Sequence, residues 1–137
     1  MIENFNKRFK DLCYNLKIEE RKFVLGLSGG IDSMALLNLL KIFIERNNSL
    51  KIQVFPIIID HSLRSNSGIE ANAVLNLALN LGFETIIKKI NTKKPSGNIQ
   101  NWARKERRKI LCDITFDLSA ILLLGHHSDD QAETIFM

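Results

Sequence analysis

Apolar side chains at Ile2, Phe5, Phe9, Leu12, Cys13 and Leu16 recur every three or four residues. That period predicts an amphipathic helix over residues 1–17, lying on a larger body. Lys22–Leu27 is apolar enough for a buried strand and ends at the turn signal Ser28-Gly29-Gly30. Residues 33–46 carry Met34, Leu36, Leu37, Leu39, Leu40, Ile42, Phe43 and Ile44, a helix packed on a sheet, and Asn47 and Asn48 end it. Residues 52–59 are almost wholly apolar and predict a second buried strand, against which Pro56 counts because it has no N–H to give a ladder. Residues 69–81 read as a helix stopped by Gly82, and 83–90 as a third strand. Pro95 and Gly97 mark 93–98 as a loop, 99–117 as a basic amphipathic helix, and 120–124 as a fourth strand ending at Gly125. A loop over 126–129 follows, and Ile135-Phe136-Met137 read as the opening of another apolar helix.

Strand and helix in regular alternation predict parallel βαβ units with right-handed crossovers. The expected fold class is therefore α/β, a doubly wound parallel sheet of at least four strands with helices on both faces. The 137 residues suffice for one core, and 45% hydrophobic with 25% charged residues is ordinary globular usage. Residues 1–17 lack the unbroken apolar stretch of a secretion signal, and no run approaches a membrane span, so a cytoplasmic location away from membranes is expected. Cys13 and Cys112 stand far apart without CxxC or CxxH spacing, which argues against a disulfide framework or a zinc site. Because the chain stops inside an apolar segment without a cap, we expect a truncated domain, cut before its last strand, from a longer protein.

Charge changes the picture locally. Between residues 86 and 109 lie nine cations and one carboxylate, while the whole chain carries only +4. Such a field suits a phosphate-rich partner, and the plain alternative is a solvated lysine-rich helix face.

In open α/β sheets, anions bind beyond the carboxyl ends of strands, where helix N-termini and glycine turns offer unpaired N–H groups. Ser28-Gly29-Gly30-Ile31-Asp32-Ser33 lies at such a point. Gly29 and Gly30 allow close backbone approach to a phosphate, and Ser28 and Ser33 add hydroxyls, together a cradle for pyrophosphate. No lysine follows the glycines, so a Walker loop is not indicated. Asp32 can hold a Mg²⁺ or orient the loop; the plain alternative makes Asp32 or Ser33 an ordinary helix N-cap. At the end of the fourth strand, residues 125–134 gather His126, His127, Asp129, Asp130 and Glu133, groups able to bind metal or move protons. Asp130 and Glu133 also have the spacing of a capping box.

The hexapeptide SGGxDS after an apolar strand resembles the signature of the PP-loop ATP pyrophosphatases, whose sheet is of the adenine nucleotide alpha hydrolase-like kind. GHHxDDQxET at residues 125–134 is similar to the tRNA(Ile)-lysidine synthase branch of that family. So are Asp60-His61-Ser62-Leu63-Arg64, with Ser62 for the usual glycine, and Asn98, Gln100, Ala103, Arg104 and Arg107, with Arg108 for the usual tyrosine. The resemblance runs from about Phe23 to the end of the chain. It implies ATP binding by Ser28, Gly29, Gly30, Ile31, Asp32 and Ser33, with Asp32 facing Mg²⁺, and a reaction site lined by Asp32, Arg107, His126 and Asp130. The implied partners are tRNA(Ile) and free lysine, with a homodimer in the full-length protein and tRNA-binding C-terminal domains that this chain lacks. The implied reaction joins lysine to C2 of a wobble cytidine through an adenylated intermediate, releasing AMP and pyrophosphate, with His126 or Asp130 taking the proton from the amine. His61 and His127 are left either touching nucleotide or satisfying loop carbonyls. Another PP-loop ligase, such as a tRNA thiolase or an amidating synthetase, and a non-catalytic nucleotide-binding module are the alternatives; the thiolases usually carry CxxC pairs, absent here.

Overall fold

The computed structural model describes residues 2–28, 31–63, 65–128 and 131–136, with backbone alone for residues 2, 31, 32, 125–128 and 131–136. The elements run α1 (Ile2–Tyr14), β1 (Lys22–Leu27), α2 (Ile31–Arg46), β2 (Gln53–Asp60), α3 (Ser67–Asn80), β3 (Ile86–Lys89), α4 (Ile99–Leu118), β4 (Ile121–Ser128) and β5 (Gln131–Phe136). The strand order is β3-β2-β1-β4-β5. The first four strands pair in parallel, so the expected doubly wound sheet is present.

Its two faces follow from the alternation of side chains along β1. Phe23, Leu25 and Leu27 join α1, α2 and α3 in the larger core with Leu37, Leu40, Phe43 and Ala78. Val24 faces the other way, with Ile57, Leu122 and Leu124 under Leu111 of α4. Burial on both sides explains why β1 reads as a continuous apolar run. The Phe9 ring of α1 sits 4.8 Å from Phe23 and 5.0 Å from Phe43, which fixes α1 on the first face, as its helical period predicts. Pro56 is tolerated inside β2 because the ladder to β3 begins only at Ile57; at Pro56 the strand is in effect an edge.

One expectation fails. Residues 126–128 continue β4 instead of forming a loop, and Gln131–Phe136 is an antiparallel strand paired on β4, with His126 opposite Glu133 and Leu123 opposite Phe136. Without β5 the outer edge of β4 would leave a row of N–H and C=O groups unpaired, and the returning segment satisfies them. The capping-box reading of Glu133 goes with the helix; its partner Asp130 lies outside the described residues.

Arg21, just before β1, is 8% exposed and donates Nε to Cys13 O and Nη1 to Leu50 O, both at 2.8 Å, and Nη2 to Leu16 O at 3.1 Å. The last turn of α1 has no basic residue of its own, so this guanidinium supplies the cation and the donors for that helix end. Arg21→Met keeps the apolar stem but leaves three acceptors short of a donor. We expect a loss of about 3 kcal/mol in urea unfolding. A loss below about 1 kcal/mol would show that the α1 terminus is held by packing alone.

Candidate nucleotide site

The cradle segment joins β1 to a 16-residue helix, α2, which starts at Ile31 at the carboxyl end of the sheet. Its positive end therefore lies beside the turn. Because α2 begins at Ile31, Asp32 and Ser33 sit in its first turn and neither is the N-cap. The hydroxyl of buried Ser33 reaches back: Ser33 Oγ accepts the Ser28 N–H at 3.2 Å and shares a 3.1 Å hydrogen bond with Ser28 Oγ. These contacts tie the first and last residues of the hexapeptide across the turn. Gly29 and Gly30 lie outside the described residues, as do the side chains of Ile31 and Asp32.

β4 runs beside β1, with Leu25 level with Leu123. Carried three residues on, this register sets Ser28 level with His126, which is in β4. The backbone thus brings together the two sequence constellations; the side chains of His126 and His127 and all of Asp129 and Asp130 lie outside the described residues.

Arg107 comes from the opposite direction, on the α4 face. A Cβ on Gly26 would lie 2.7 Å from Leu111 Cδ1 and 3.1 Å from Arg107 Nη2, so the absent side chain lets α4 approach β1 two residues before Ser28. Among the described residues no hydrogen bond or ion pair reaches the Arg107 guanidinium. Burial, with Arg108 beside it, pushes the Arg107 pKa below the usual guanidinium value. A half-buried cation without a carboxylate is costly, and an anion at this end of the sheet would relieve that cost. Sequence reasoning missed Gly26; the available signal was a lone glycine inside a buried apolar strand.

The loop after β2 is the third component. The Asp60 carboxylate is buried, which pushes its pKa up, but hydrogen bonds from the Ser67 hydroxyl and the Ser62 N–H (2.9 Å) outweigh burial. With help from the Lys89 and His61 charges they hold the group below the ordinary carboxylate range. Ser62 adopts a left-handed φ of +56°, the conformation that the glycine of the related motif takes without strain. His61 satisfies a loop amide and not a loop carbonyl: its Nδ1 accepts the Leu63 N–H at 3.1 Å. Arg64 lies outside the described residues. The exposed cations Lys88, Lys89, Lys93, Lys94, Arg104 and Lys105 belong to β3, the loop after it and the first half of α4. Most of the local basic field therefore lies toward the carboxyl end of the sheet. Among the described residues no helix is long and apolar enough to cross a membrane, and no group of three metal-binding side chains occurs.

Comparison with known proteins agrees with this geometry. The family model described as PP-loop domain matches residues 1–137. A tRNA(Ile)-lysidine synthase from Rickettsia rickettsii is 31% identical over 134 residues, covering 97% of this chain and 27% of that protein. The enzymes of that name from Orientia tsutsugamushi and Thermosipho africanus are each 33% identical, over 93% and 98% of this chain and 30% and 32% of theirs. The chain thus spans about a quarter to a third of the length of these curated relatives. Among solved structures, a U34-tRNA thiolase from Methanococcus maripaludis superposes with a TM-score of 0.68 at 20% identity, covering 92% of this chain and 45% of that one. An NAD+ synthetase from Burkholderia pseudomallei gives 0.63 at 14%, covering 96% and 58%. These two likenesses speak to the fold. With a glycine turn between β1 and α2, β4 alongside it and a family model that matches from end to end, the chain belongs to the PP-loop domain family.

Proposed function

We propose that this chain is the nucleotide-binding and adenylating part of a tRNA(Ile)-lysidine synthase. The observation that carries the reading is the juxtaposition at the carboxyl end of the sheet: the Ser28–Ser33 turn, the end of β4, and a half-buried Arg107 beside β1 with no partner among the described residues. The 31–33% identity to enzymes of that name supports it over almost the whole chain.

In this reading the amides of Gly29, Gly30 and Ile31 and the hydroxyls of Ser28 and Ser33 hold the β- and γ-phosphates of ATP, while the Ser28 N–H stays on Ser33 Oγ and braces the turn. Asp32 adds a carboxylate next to Ser33 in the sequence; carboxylate and hydroxyls are hard-oxygen donors of the kind Mg²⁺ takes, and the ion would offset triphosphate charge when bound. The C2 oxygen of the wobble cytidine attacks the α-phosphorus, the bond to the α–β bridging oxygen breaks, and pyrophosphate leaves. Arg107 stabilises the negative charge that gathers on the phosphate as this bond breaks. The amine of lysine then attacks C2, the C2–O bond breaks, AMP departs, and His126 or Asp130 takes the amine proton. The basic surface of β3 and α4 attracts the tRNA backbone.

The thiolase alternative finds less support. Cys13 is sealed in the core, where burial, against the pull of Arg21, pushes its thiol up to about 11, and Cys112 stands alone on α4. Mixing the full-length protein with ATP, lysine and unmodified tRNA(Ile) is expected to release AMP and pyrophosphate in equal amounts, dependent on both lysine and tRNA. ADP and phosphate as products, or no dependence on lysine, would overturn the proposal.

A further inference from the structure

We propose that His61 is a nucleoside-contacting residue, its Nε2–H donating a hydrogen bond to the ribose or base of the nucleotide held by the turn after β1. The inference rests on the proposed nucleotide site and adds to it a side chain from a different strand.

The ring has one defined polarity. Since Nδ1 accepts the Leu63 N–H at 3.1 Å, the neutral imidazole carries its proton on Nε2, which is therefore a donor. The residue is half-buried, and among the described residues no hydrogen bond engages Nε2. The loop that carries the ring is held by two ties from Asp60. Asp60 is buried and ties its own carboxylate to the Ser62 N–H and to Ser67 at the start of α3. Ser62 is kept left-handed at φ +56° although it has a Cβ. Such a conformation persists only where the surroundings over-determine it, and it clusters at binding sites.

The position suits a nucleoside. Leu27 pairs with Ile58, so Ser28 is level with Ile59 and His61 lies two residues further along the neighbouring strand direction. With strands 4.8 Å apart and about 3.3 Å per residue, the two Cα atoms are roughly 8 Å apart. That separation suits the other end of a nucleotide whose phosphates lie at Ser28.

Two near-isosteric substitutions split the ring's two roles. His61→Asn keeps an acceptor at the Nδ1 position for Leu63 and removes the Nε2 donor; His61→Gln removes the acceptor but offers an amide donor near Nε2. Titration calorimetry of the wild-type chain and both variants against Mg-ATP and against inorganic tripolyphosphate separates the contributions. We expect His61→Asn to weaken ATP binding about tenfold with tripolyphosphate binding unchanged within twofold, and His61→Gln to stay within about threefold of wild type for ATP. Loss in His61→Gln with wild-type behaviour in His61→Asn would make His61 a loop anchor only. Wild-type affinities in both variants would overturn the inference and leave the nucleotide site standing. Failure of the wild-type chain to bind either ligand would remove the site itself.

Discussion

Arg107→Ala in the full-length protein is expected to lower turnover about 10²- to 10³-fold, with folding stability unchanged or slightly raised. Both halves follow from the same observation. The guanidinium lies against the β1 backbone at Gly26, has no described carboxylate partner, and has its pKa pushed down by burial. Its charge therefore costs the apo fold something and does its work when an anion arrives. Arg107→Lys should recover little, because one compact ammonium cannot reproduce a planar fork of donors against phosphate oxygens. Gly26→Val should imitate the loss from the other side of the contact, by driving Leu111 and Arg107 off β1. Steady-state turnover together with urea unfolding checks this. Full activity in Arg107→Ala, or a loss of activity matched by unfolding, would show that the residue is structural.

Asp32→Ala is expected to abolish ATP-dependent incorporation of lysine into tRNA(Ile), a loss of more than 10³-fold. The position sits in the first turn of α2, so a structural contribution through the helix dipole is worth only about 0.3–1 kcal/mol. A carboxylate at the residue before Ser33, whose hydroxyl already bonds across the turn, has a larger task if it holds the ion that neutralises a triphosphate. Asp32→Asn preserves size and the turn while removing charge, so it should be nearly as inactive at low Mg²⁺ and regain part of its activity as Mg²⁺ rises. Incorporation of labelled lysine measures both variants. Near-normal incorporation in either would remove Asp32 from the reaction.

These expectations rest on features of unequal visibility in the sequence. The turn after β1 was legible because glycines, hydroxyls and an acid follow an apolar strand, and only a few local geometries satisfy that order. β1, β2 and the first half of β4 were legible because burial on both faces leaves apolar runs, whereas β3 is largely exposed and ends in Lys88 and Lys89. β5 was not: residues 131–136 mix Gln, Glu and Thr with Ile and Phe, and what makes them a strand is the open edge of β4. The meeting of Arg107 and Gly26 was hidden for a similar reason, since the two residues are far apart in the chain and only the crossover of α4 onto the second face joins them. Arg21 carried no local signal, because its carbonyl partners sit at the end of α1 and at Leu50, which only the fold brings together. Ser62 lay between these extremes. Its left-handed backbone was foreshadowed by the glycine usual in the related motif, but the Leu63 N–H bond to His61 exists only once the loop is folded.

The proposed chemistry requires the backbone N–H groups between β1 and α2 to take hold of nucleotide phosphates. Titrating Mg-ATP into the ¹⁵N-labelled chain and following each amide resonance tests that claim directly. The largest shifts are expected on Gly29, Gly30 and Ile31, saturating together, and pyrophosphate is expected to reproduce them. Shifts that leave these three amides untouched while ATP binds elsewhere would contradict that claim.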